Sequence, residues 1–420
     1  MKTIYLFFAA RRYWKDDAVL QAAYRELCAL AGDAEHHLIT DTDPDVEAAA
    51  DCAVLIPMSG AVQRRLMDTA ARYDSAVLYA AYIRGNASPA VCEEMLRNNA
   101  APSIMDVWGT LRRTHPRAEL VLNADSLAET LTVLNAYHHV RGVTLLQIGA
   151  TEPWVVSNAS APGVYTERFG VKIIPVAQSE LEELYNTVEV NDKNLRLWYR
   201  WFSEGAVGCV EPTNEDISNA CRMAAALAAL LNKYNADGAA LACFNLLRTG
   251  TTACLGVSFL NDCTGKVVAC EGDMDSAVTM LLMKKLTATR LWMANPGLQP
   301  DGSINFSHCT APIHCTDRPL HFKLRNHHES GIGVSLQVEY PIGQTVTACR
   351  ISDEARCMTI HRGVSQTGPY ETTCRTQMHV RFDQPEHYLQ TALGCHQIFA
   401  FEDICSRLEK LAGMFGLKVL

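Results

Sequence analysis

The chain has 420 residues, of which 48% are hydrophobic and 20% are charged. Its length predicts two or three globular domains, and its composition excludes a disordered or fibrous chain. The net charge of −9 argues against a nucleic-acid-binding protein, because such proteins carry a basic domain or stripe. No run of 18 apolar residues is present, so we expect no membrane span and no membrane partner.

The first 140 residues alternate between strand and helix patterns. Strands are predicted at residues 3–9, 53–57 and 75–82, and helices at 16–31, 59–73, 89–114 and 125–139. This alternation is typical of a parallel sheet with helices on its faces. The apolar run at 4–10 is short and Arg11-Arg12 follow at once, so it is interpreted as the first strand and not as a secretory signal.

A second α/β pattern begins near residue 141. Strands are predicted at 142–149, 169–175, 238–245 and 266–270, and helices at 179–186, 212–232 and 276–286. Thr213 and Asp216 have the spacing of a capping box at the start of the second of these helices. The sequence therefore predicts two α/β domains, at 1–140 and 141–292.

After Pro296 the helical periodicity gives way to alternation of apolar and polar residues. Strands are predicted at 334–338, 345–351, 358–362 and 378–382, followed by a helix at 402–415 and a short terminal strand. This spacing indicates an antiparallel barrel or sandwich over residues 293–420.

Sixteen cysteines are spread from Cys28 to Cys405 without a CxxC pair. A chain that can build its own cores does not need a disulfide framework, and many of these cysteines lie in apolar runs. We therefore expect free, largely buried thiols in a reducing cytoplasm.

Three carboxylates follow the predicted strand at 266–270: Glu271, Asp273 and Asp275. The carboxyl ends of strands in open α/β sheets hold ligand sites. Oxygen ligands of this kind suit Mg²⁺ or Mn²⁺. Asp273 and Asp275 have a structural alternative, since either can cap the helix that begins near Met274.

Histidines are enriched in the last third of the chain, where nine of the 14 lie after residue 300. Imidazole is a common metal ligand, although a single histidine in a strand is more often structural. His308 stands out because its extended segment stops at Pro312. His396 stands out because Gly394 permits a close backbone approach.

Two further groups give weaker signals. Cys309, His314 and Cys315 resemble half of a zinc site, but no second half lies at a suitable spacing in the sequence. Residues 327–329, His-His-Glu, have metal-binding side chains, but a polar turn before Gly331 is the favoured interpretation.

The segment ACEGDMDSAVTMLL, the barrel-like tail and the Gly-Cys-His-Gln segment at 394–397 together resemble the L-fucose isomerase and L-arabinose isomerase superfamily, in its smaller fucose-isomerase-like branch. HHESGIGV and TVTACRI resemble barrel strands of that branch, and the likeness covers about residues 140–420. The resemblance implies two flavodoxin-like (Rossmann-like) parallel-sheet domains followed by a C-terminal antiparallel β-barrel domain. It also implies Mn²⁺ binding and a homo-oligomer, either a trimer or a hexamer.

The resemblance assigns roles to individual residues. Glu271 matches the first metal-binding carboxylate, His396 the C-terminal histidine ligand and His308 the middle histidine. Asn295 stands where the family has its second acidic ligand; its amide oxygen can still bind a hard cation, but it is not a useful proton acceptor. Glu271 is then the best candidate for catalytic proton transfer, and either Asp273 or Asp275 is a carboxylate that can compensate for Asn295.

The predicted function is a metal-dependent isomerase, formally an intramolecular oxidoreductase, with Mn²⁺ or another hard cation such as Mg²⁺. Its substrate would be a pentose or a 6-deoxyhexose, converted between aldose and ketose through a cis-enediol. Because of Asn295, a non-catalytic or altered-function sugar-binding relative on the same scaffold is the alternative. A lyase or epimerase with the same enediolate chemistry is a third possibility.

Overall fold

The computed structural model describes residues 1–44, 46, 48–158, 160–188, 192–315 and 318–420. The chain divides into two compact units, Met1–His138 and His139–Leu420. No helix within the described ranges combines the length and the apolar character that crossing a bilayer requires. The two units do not separate residues 141–292 from 293–420, so that predicted boundary stays a prediction.

The first unit contains a five-stranded parallel sheet in the order β2-β1-β3-β4-β5, which is the flavodoxin-like order. Its strands are β1 (Thr3–Ala9), β2 (Glu35–Thr40), β3 (Cys52–Pro57), β4 (Ser75–Tyr79) and β5 (Ala118–Val121). Its helices are α1 (Asp17–Leu27), α2 (Gln63–Ala70), α3 (Pro89–Arg97), α4 (Ala100–Thr114) and α5 (Ala124–Val140), the last of which runs across the boundary between the units. The central strands β3 and β4 are buried along their whole length, as their continuous apolar sequences require.

The second unit begins with a four-stranded parallel sheet in the order β10-β9-β6-β7. The strands of this region are β6 (Thr144–Ile148), β7 (Lys172–Val176), β8 (Gly208–Cys209), β9 (Gly238–Leu241) and β10 (Val267–Ala269). Its helices are α6 (Pro162–Phe169), α7 (Gln178–Thr187), α8 (Asp192–Gly205), α9 (Asn214–Lys233), α10 (Cys254–Cys263) and α11 (Met274–Met283). Thr213 caps α9, and its reciprocal bonds with Asp216 confirm the predicted capping box.

The second unit continues with a closed antiparallel barrel of six strands, in the order β15-β18-β11-β12-β17-β16, which the pairing of β15 with β16 closes. The remaining strands are β11 (Trp292–Leu298), β12 (Ile304–His308), β13 (Phe322–Arg325), β14 (Ser335–Val338), β15 (Thr345–Ser352), β16 (Cys357–Gln366), β17 (Thr376–Phe382), β18 (Gln397–Ala400) and β19 (Lys418–Val419). The last helices are α12 (Pro385–Gln390) and α13 (Cys405–Met414). The predicted fold class is confirmed, and the barrel prevails over the sandwich.

One predicted strand lies at the expected residues but in a different sheet. The strand at 334–338 exists as β14, but it belongs to a separate three-stranded sheet with β13 and β8 and not to the barrel. Alternation of apolar and polar residues indicates a strand with one buried face, but it carries no information about which sheet the strand joins.

The fold brings three chain segments to one place in the second unit. Helix α11 lies against β15, where the Thr279 hydroxyl accepts a hydrogen bond of 3.0 Å from the backbone N–H of Ile351. Glu271 lies between β10 and α11, while His308 ends β12 and His396 precedes β18. All sixteen cysteines are free, as predicted, and half of them are buried.

Candidate metal centre

Glu271 lies in a tight turn between β10 and α11, and its backbone is in the left-handed region with φ of +59°. A residue with a side chain rarely adopts this conformation, which costs on the order of 1 kcal/mol. The turn is held by the N–H of Gly272, which donates to Leu241 O at 2.8 Å, and by the N–H of Glu152, which donates to Glu271 O at 2.9 Å. A Cβ at Gly272 would lie 2.8 Å from the Ala150 carbonyl oxygen, so the turn needs glycine there.

Glu271, His308 and His396 form a compact cluster of metal-ligating side chains. One ligand atom from each lies within 4.8 Å of the others. The Oε1 atom of Glu271 is 3.3 Å from Nε2 of His396, and the centroids of the two imidazole rings are 6.2 Å apart. The three residues are 9%, 5% and 0% exposed, respectively. The structure thus brings together three of the four residues that the sequence proposed as metal ligands.

The His396 ring is fixed by a carboxylate on the side away from Glu271. Its Nδ1 lies 2.7 Å from Oδ2 of Asp273, a pure acceptor, so Nδ1 carries the proton and Nε2 faces Glu271. Burial acts to lower the pKa of His396, but its hydrogen bonds, above all that to Asp273, outweigh burial and raise the pKa well above its ordinary value. A cation that binds Nε2 therefore takes the place of a proton, and Asp273 orients the ligand as in carboxylate–histidine–metal arrangements.

His308 offers a neutral ring. Burial, together with the nearby His396, lowers the pKa of His308 to about 4. Its Nδ1 is 2.7 Å from the hydroxyl oxygen of Thr310. The backbone N–H of Thr310 donates to the same nitrogen at 3.2 Å, so Nδ1 is an acceptor and the neutral ring carries its proton on Nε2. A metal ion that binds Nε2 would therefore have to displace this proton.

Asp273 serves as the cap of α11 and not as a free acid or base. Its carboxylate accepts from the backbone N–H of Ser276 at 3.0 Å and forms an ion pair with Arg350 at 2.9 Å. Burial acts to raise the pKa of Asp273, but Arg350 and His396 hold it far below its ordinary value. Because the carboxylate is fully buried and occupied by these partners, the catalytic role predicted for Asp273 has no support in the geometry, and Asp273 is a positioning residue.

Asn295 lies on β11 directly opposite Ser307 of β12. Paired residues of antiparallel strands share a face, and neighbouring residues alternate between faces. Asn295 therefore shares a face with Ser307, while His308 projects to the other. In the described part of the chain Asn295 makes no hydrogen bond with Glu271, His308 or His396, so its role as a ligand stays a prediction without geometric support.

Arg350 was not identified in the sequence. It is fully buried on β15, where its guanidinium donates to Asp273 at 2.9 Å, to the His396 carbonyl at 3.1 Å and to Ser157 Oγ at 3.0 Å. Gly394 passes so close that a Cβ there would lie 2.6 Å from Nε of Arg350, which accounts for the glycine two residues before His396. The signal in the sequence was a single arginine within an otherwise uncharged strand, Thr345–Ser352.

Two other residues missed in the sequence follow β6. The indole N–H of Trp154 donates to Oε2 of Glu271 at 2.6 Å, and its ring, which is 52% exposed, packs edge-on against Phe244 at 4.9 Å. Glu152 is buried, and burial raises its pKa, as does the negative charge of Glu271. Their position at the carboxyl end of a parallel strand was a usable signal, because ligand sites lie at that edge.

The structure also locates the two weaker metal-binding groups of the sequence, residues 327–329 and the group of Cys309, His314 and Cys315. His327 forms a polar turn, in which its Nδ1 lies 3.0 Å from Ser330 Oγ and its carbonyl accepts from the N–H of Gly331. His314 lies with Asp262 and Cys263, so the group proposed from Cys309, His314 and Cys315 does not form as such.

The cluster of Glu271, His308 and His396 has the donors that a metal ion needs: one carboxylate oxygen and two imidazole nitrogens, oriented by Asp273 and Thr310. The residues present fit a divalent cation. A scan against models of protein families finds no match for the chain, and a search of the curated proteins finds none either.

Proposed function

We propose that this chain is a metal-dependent aldose–ketose isomerase of the fucose- and arabinose-isomerase type, acting on a pentose or a 6-deoxyhexose. The observation that carries the proposal is the buried group of Glu271, His308 and His396, placed at the carboxyl end of a parallel sheet and at the ends of barrel strands. This combination of fold and site is the one that the sequence resemblance implies.

The ligand set favours a first-row transition ion over Mg²⁺, and Mn²⁺ is the one that the sequence resemblance implies. Two imidazole nitrogens beside one carboxylate suit a first-row transition ion better than Mg²⁺, which prefers oxygen ligands alone. When bound, such an ion supplies Lewis-acid polarisation of the sugar carbonyl and stabilises the charge of the enediolate.

Glu152 is the residue that we assign to proton transfer between C1 and C2 of the sugar. Its pKa is raised by burial and by Glu271, which brings a carboxylate closer to the pH at which it works as a base. The Glu152 carboxylate accepts from the backbone N–H of Phe244 at 3.2 Å and from that of Asn245, and both bonds act to lower its pKa against the effect of burial. Glu271 is less suited to move a proton because its two oxygens already face Trp154 and His396.

Trp154 is assigned to sugar binding. Its half-exposed ring offers an apolar face beside Glu271, and the carbon-bound hydrogens of a sugar ring pack well on such a face. Its indole N–H at the same time holds one oxygen of Glu271, so that the carboxylate keeps a single orientation.

The test is turnover by the purified, metal-stripped chain after reloading with Mn²⁺. Incubation with a panel of pentoses and 6-deoxyhexoses should yield ketose from at least one sugar. Glu271→Gln should abolish activity and metal binding at this site while the circular dichroism spectrum stays unchanged. Glu204→Gln, at an exposed position on α8, is the matched control and should behave as the parent chain.

Three other outcomes would reject the enzyme proposal, reject the site or favour the alternative function. Absence of both turnover and bound metal would reject the enzyme proposal, and retained activity in Glu271→Gln would reject the site. Metal bound without turnover of any sugar would favour the alternative, a sugar-binding or altered-function relative. One observation favours that alternative: the ligand set has a single carboxylate, and Asn295 lies on the face away from His308.

A further inference from the structure

The fold places two further metal-ligating side chains, Asp262 and Cys263, beside His314 of the sequence motif His-Cys-Thr-Ala-Pro-Ile-His-Cys. Asp262 and Cys263 are the last residues of α10, and they lie against His314 in the segment after β12. One ligand atom from each of the three residues lies within 4.8 Å of the others. About fifty residues separate the two halves in the chain, so no spacing rule could connect them. We propose that Asp262, Cys263 and His314 form a zinc site that is separate from the Glu271 cluster.

The distances in this group approach those of a tetrahedral zinc site. Bond lengths of about 2.0–2.3 Å put neighbouring ligand atoms about 3.3–3.8 Å apart. Cys263 Sγ lies 3.9 Å from Oδ2 of Asp262, close to that range. His314 Nδ1 lies 2.6 Å from the same oxygen, so a small rotation of the imidazole is enough to admit the ion between them.

The charges of the group also suit a divalent cation. Asp262 is 2% exposed, and its carboxylate accepts from the backbone N–H of His314 at 3.1 Å, from the His314 ring and from the Cys263 thiol. The nearby Arg290 donates from Nε to the backbone carbonyl of Asp262 at 2.5 Å, not to the carboxylate. Zn²⁺ with one carboxylate, one thiolate and a neutral imidazole gives a site with no net charge, which removes the cost of an unbalanced buried carboxylate.

Zinc binding requires Cys263 to lose its thiol proton and His314 to offer an unprotonated ring nitrogen. Burial and the charge of Asp262 raise the pKa of the Cys263 thiol to about 12, so binding releases that proton to solvent as the Zn–S bond forms. Before binding, Nδ1 of His314 donates its proton to the Asp262 carboxylate, so the neutral ring has to shift that proton to Nε2 as the Zn–N bond forms at Nδ1. Cys263 is exposed and His314 is half-buried, so the ion can enter from solvent and a water molecule can take the fourth position.

Cobalt is the probe that separates this site from the Glu271 cluster. Co²⁺ replaces Zn²⁺ in tetrahedral sites, and a thiolate ligand adds a sulfur-to-cobalt charge-transfer band in the near ultraviolet. The metal-stripped, reduced chain should develop this band on titration with Co²⁺ and should take up one more equivalent of Zn²⁺ than the Cys263→Ser variant. Glu271→Gln should keep the band, because its site lacks Cys263.

The variants decide the assignment. Cys263→Ser should lose the band and one equivalent of Zn²⁺, and Cys209→Ser, which changes another exposed thiol, should keep both. His314→Asn should weaken Zn²⁺ binding at this site by at least about tenfold. A parent chain without the band, or a band that persists in Cys263→Ser, would overturn the proposal. Since none of these readouts depends on sugar turnover, the proposal stands or falls independently of the isomerase assignment.

Discussion

Glu271 and Asp273 are two residues apart in the chain, and the backbone between them gives their carboxylates different roles. The left-handed conformation at Glu271 and at Gly272 aims the first carboxylate at the two histidines. The turn then places Asp273 at the N-cap of α11, where it fixes the back of the His396 ring. One carboxylate can thus bind a cation, and the other orients a ligand of that cation.

The first prediction concerns Glu152. Glu152→Gln removes the proposed base but keeps the backbone N–H that holds Glu271. We expect kcat for the isomerisation to fall by roughly 10²- to 10⁴-fold, the usual contribution of a general base. Mn²⁺ stoichiometry should not change, because Glu152 is not among the three ligands. Steady-state kinetics with metal analysis checks both, and an unchanged kcat would assign the proton transfer to another group.

The site residues differ in how visible they were in the sequence. Glu271 was predictable because it follows a strand in an α/β pattern, and His308 and His396 because their local segments were unusual. Glu152 was missed although it follows a parallel strand, whereas Arg350 was not predicted because its role comes from contacts between segments far apart in the chain. Arg350 is bonded to Asp273, 77 residues earlier, and no local pattern encodes such a contact.

At the scale of elements, the first turn of α11 contains a second buried carboxyl group. Asp275 accepts from the hydroxyls of Tyr165 at 2.7 Å and Ser352 at 3.0 Å, and so connects α6, α11 and β15. Burial raises its pKa to about 6, although the nearby Arg350 acts in the opposite direction. The helix therefore contains a carboxyl group that stays neutral to a higher pH than an ordinary aspartic acid, because burial disfavours its charged form.

The second prediction follows from the sign of this shift. Between about pH 4 and pH 6 the folded state keeps a proton on Asp275 that the unfolded state releases, so the folded state loses stability as the pH rises. Replacement by Asn removes this loss. The free energy of unfolding of Asp275→Asn minus that of the parent should rise with pH over this window, by about 2 kcal/mol.

Urea unfolding of both chains from pH 4.5 to pH 8 measures this difference. A constant offset from the lost hydroxyl contacts would leave the slope unaffected, so the pH dependence is the informative quantity. A difference that does not change with pH would show that Asp275 is ionised in the folded chain throughout.

Three of the elements that the sequence missed lack the residue pattern that is typical of their class. Strands β2 and β5 carry few fully buried residues, so the apolar pattern of a central strand is absent. Helix α10 is apolar on nearly every side and is mostly buried, so it shows little of the amphipathic periodicity that predicts a helix. By contrast, β1 is a continuous apolar run that is buried from Ile4 to Ala9, and α9 has a buried face of helical period; both were predicted.

At the scale of the whole molecule, the class of the fold was predictable but the connections were not. The alternation of strands and helices indicated parallel sheets, and the change after Pro296 indicated an antiparallel region. Whether that region closes depends on the pairing of β15 with β16 and of β11 with β18, and the second pair joins segments about a hundred residues apart. The site depends on the same long-range pairings, since β12 and β18 position its two histidines.

The third prediction concerns the stabilisation of the folded chain by Mn²⁺. Glu271 belongs to the turn after β10, while His308 and His396 belong to the ends of two barrel strands. A bound cation therefore links three distant segments of the folded chain, and the unfolded chain has no equivalent site. Mn²⁺ at 100 times its dissociation constant should stabilise the second unit by about 2.7 kcal/mol and raise the melting temperature, and removal of the metal by a chelator should reverse the shift. Calorimetric scans of Glu271→Gln should show no Mn²⁺-dependent shift, whereas Cys263→Ser should retain the shift of the parent chain. An equal response in Glu271→Gln would mean that Mn²⁺ stabilises the chain from another site, and the cluster would then lose its assignment as the metal centre.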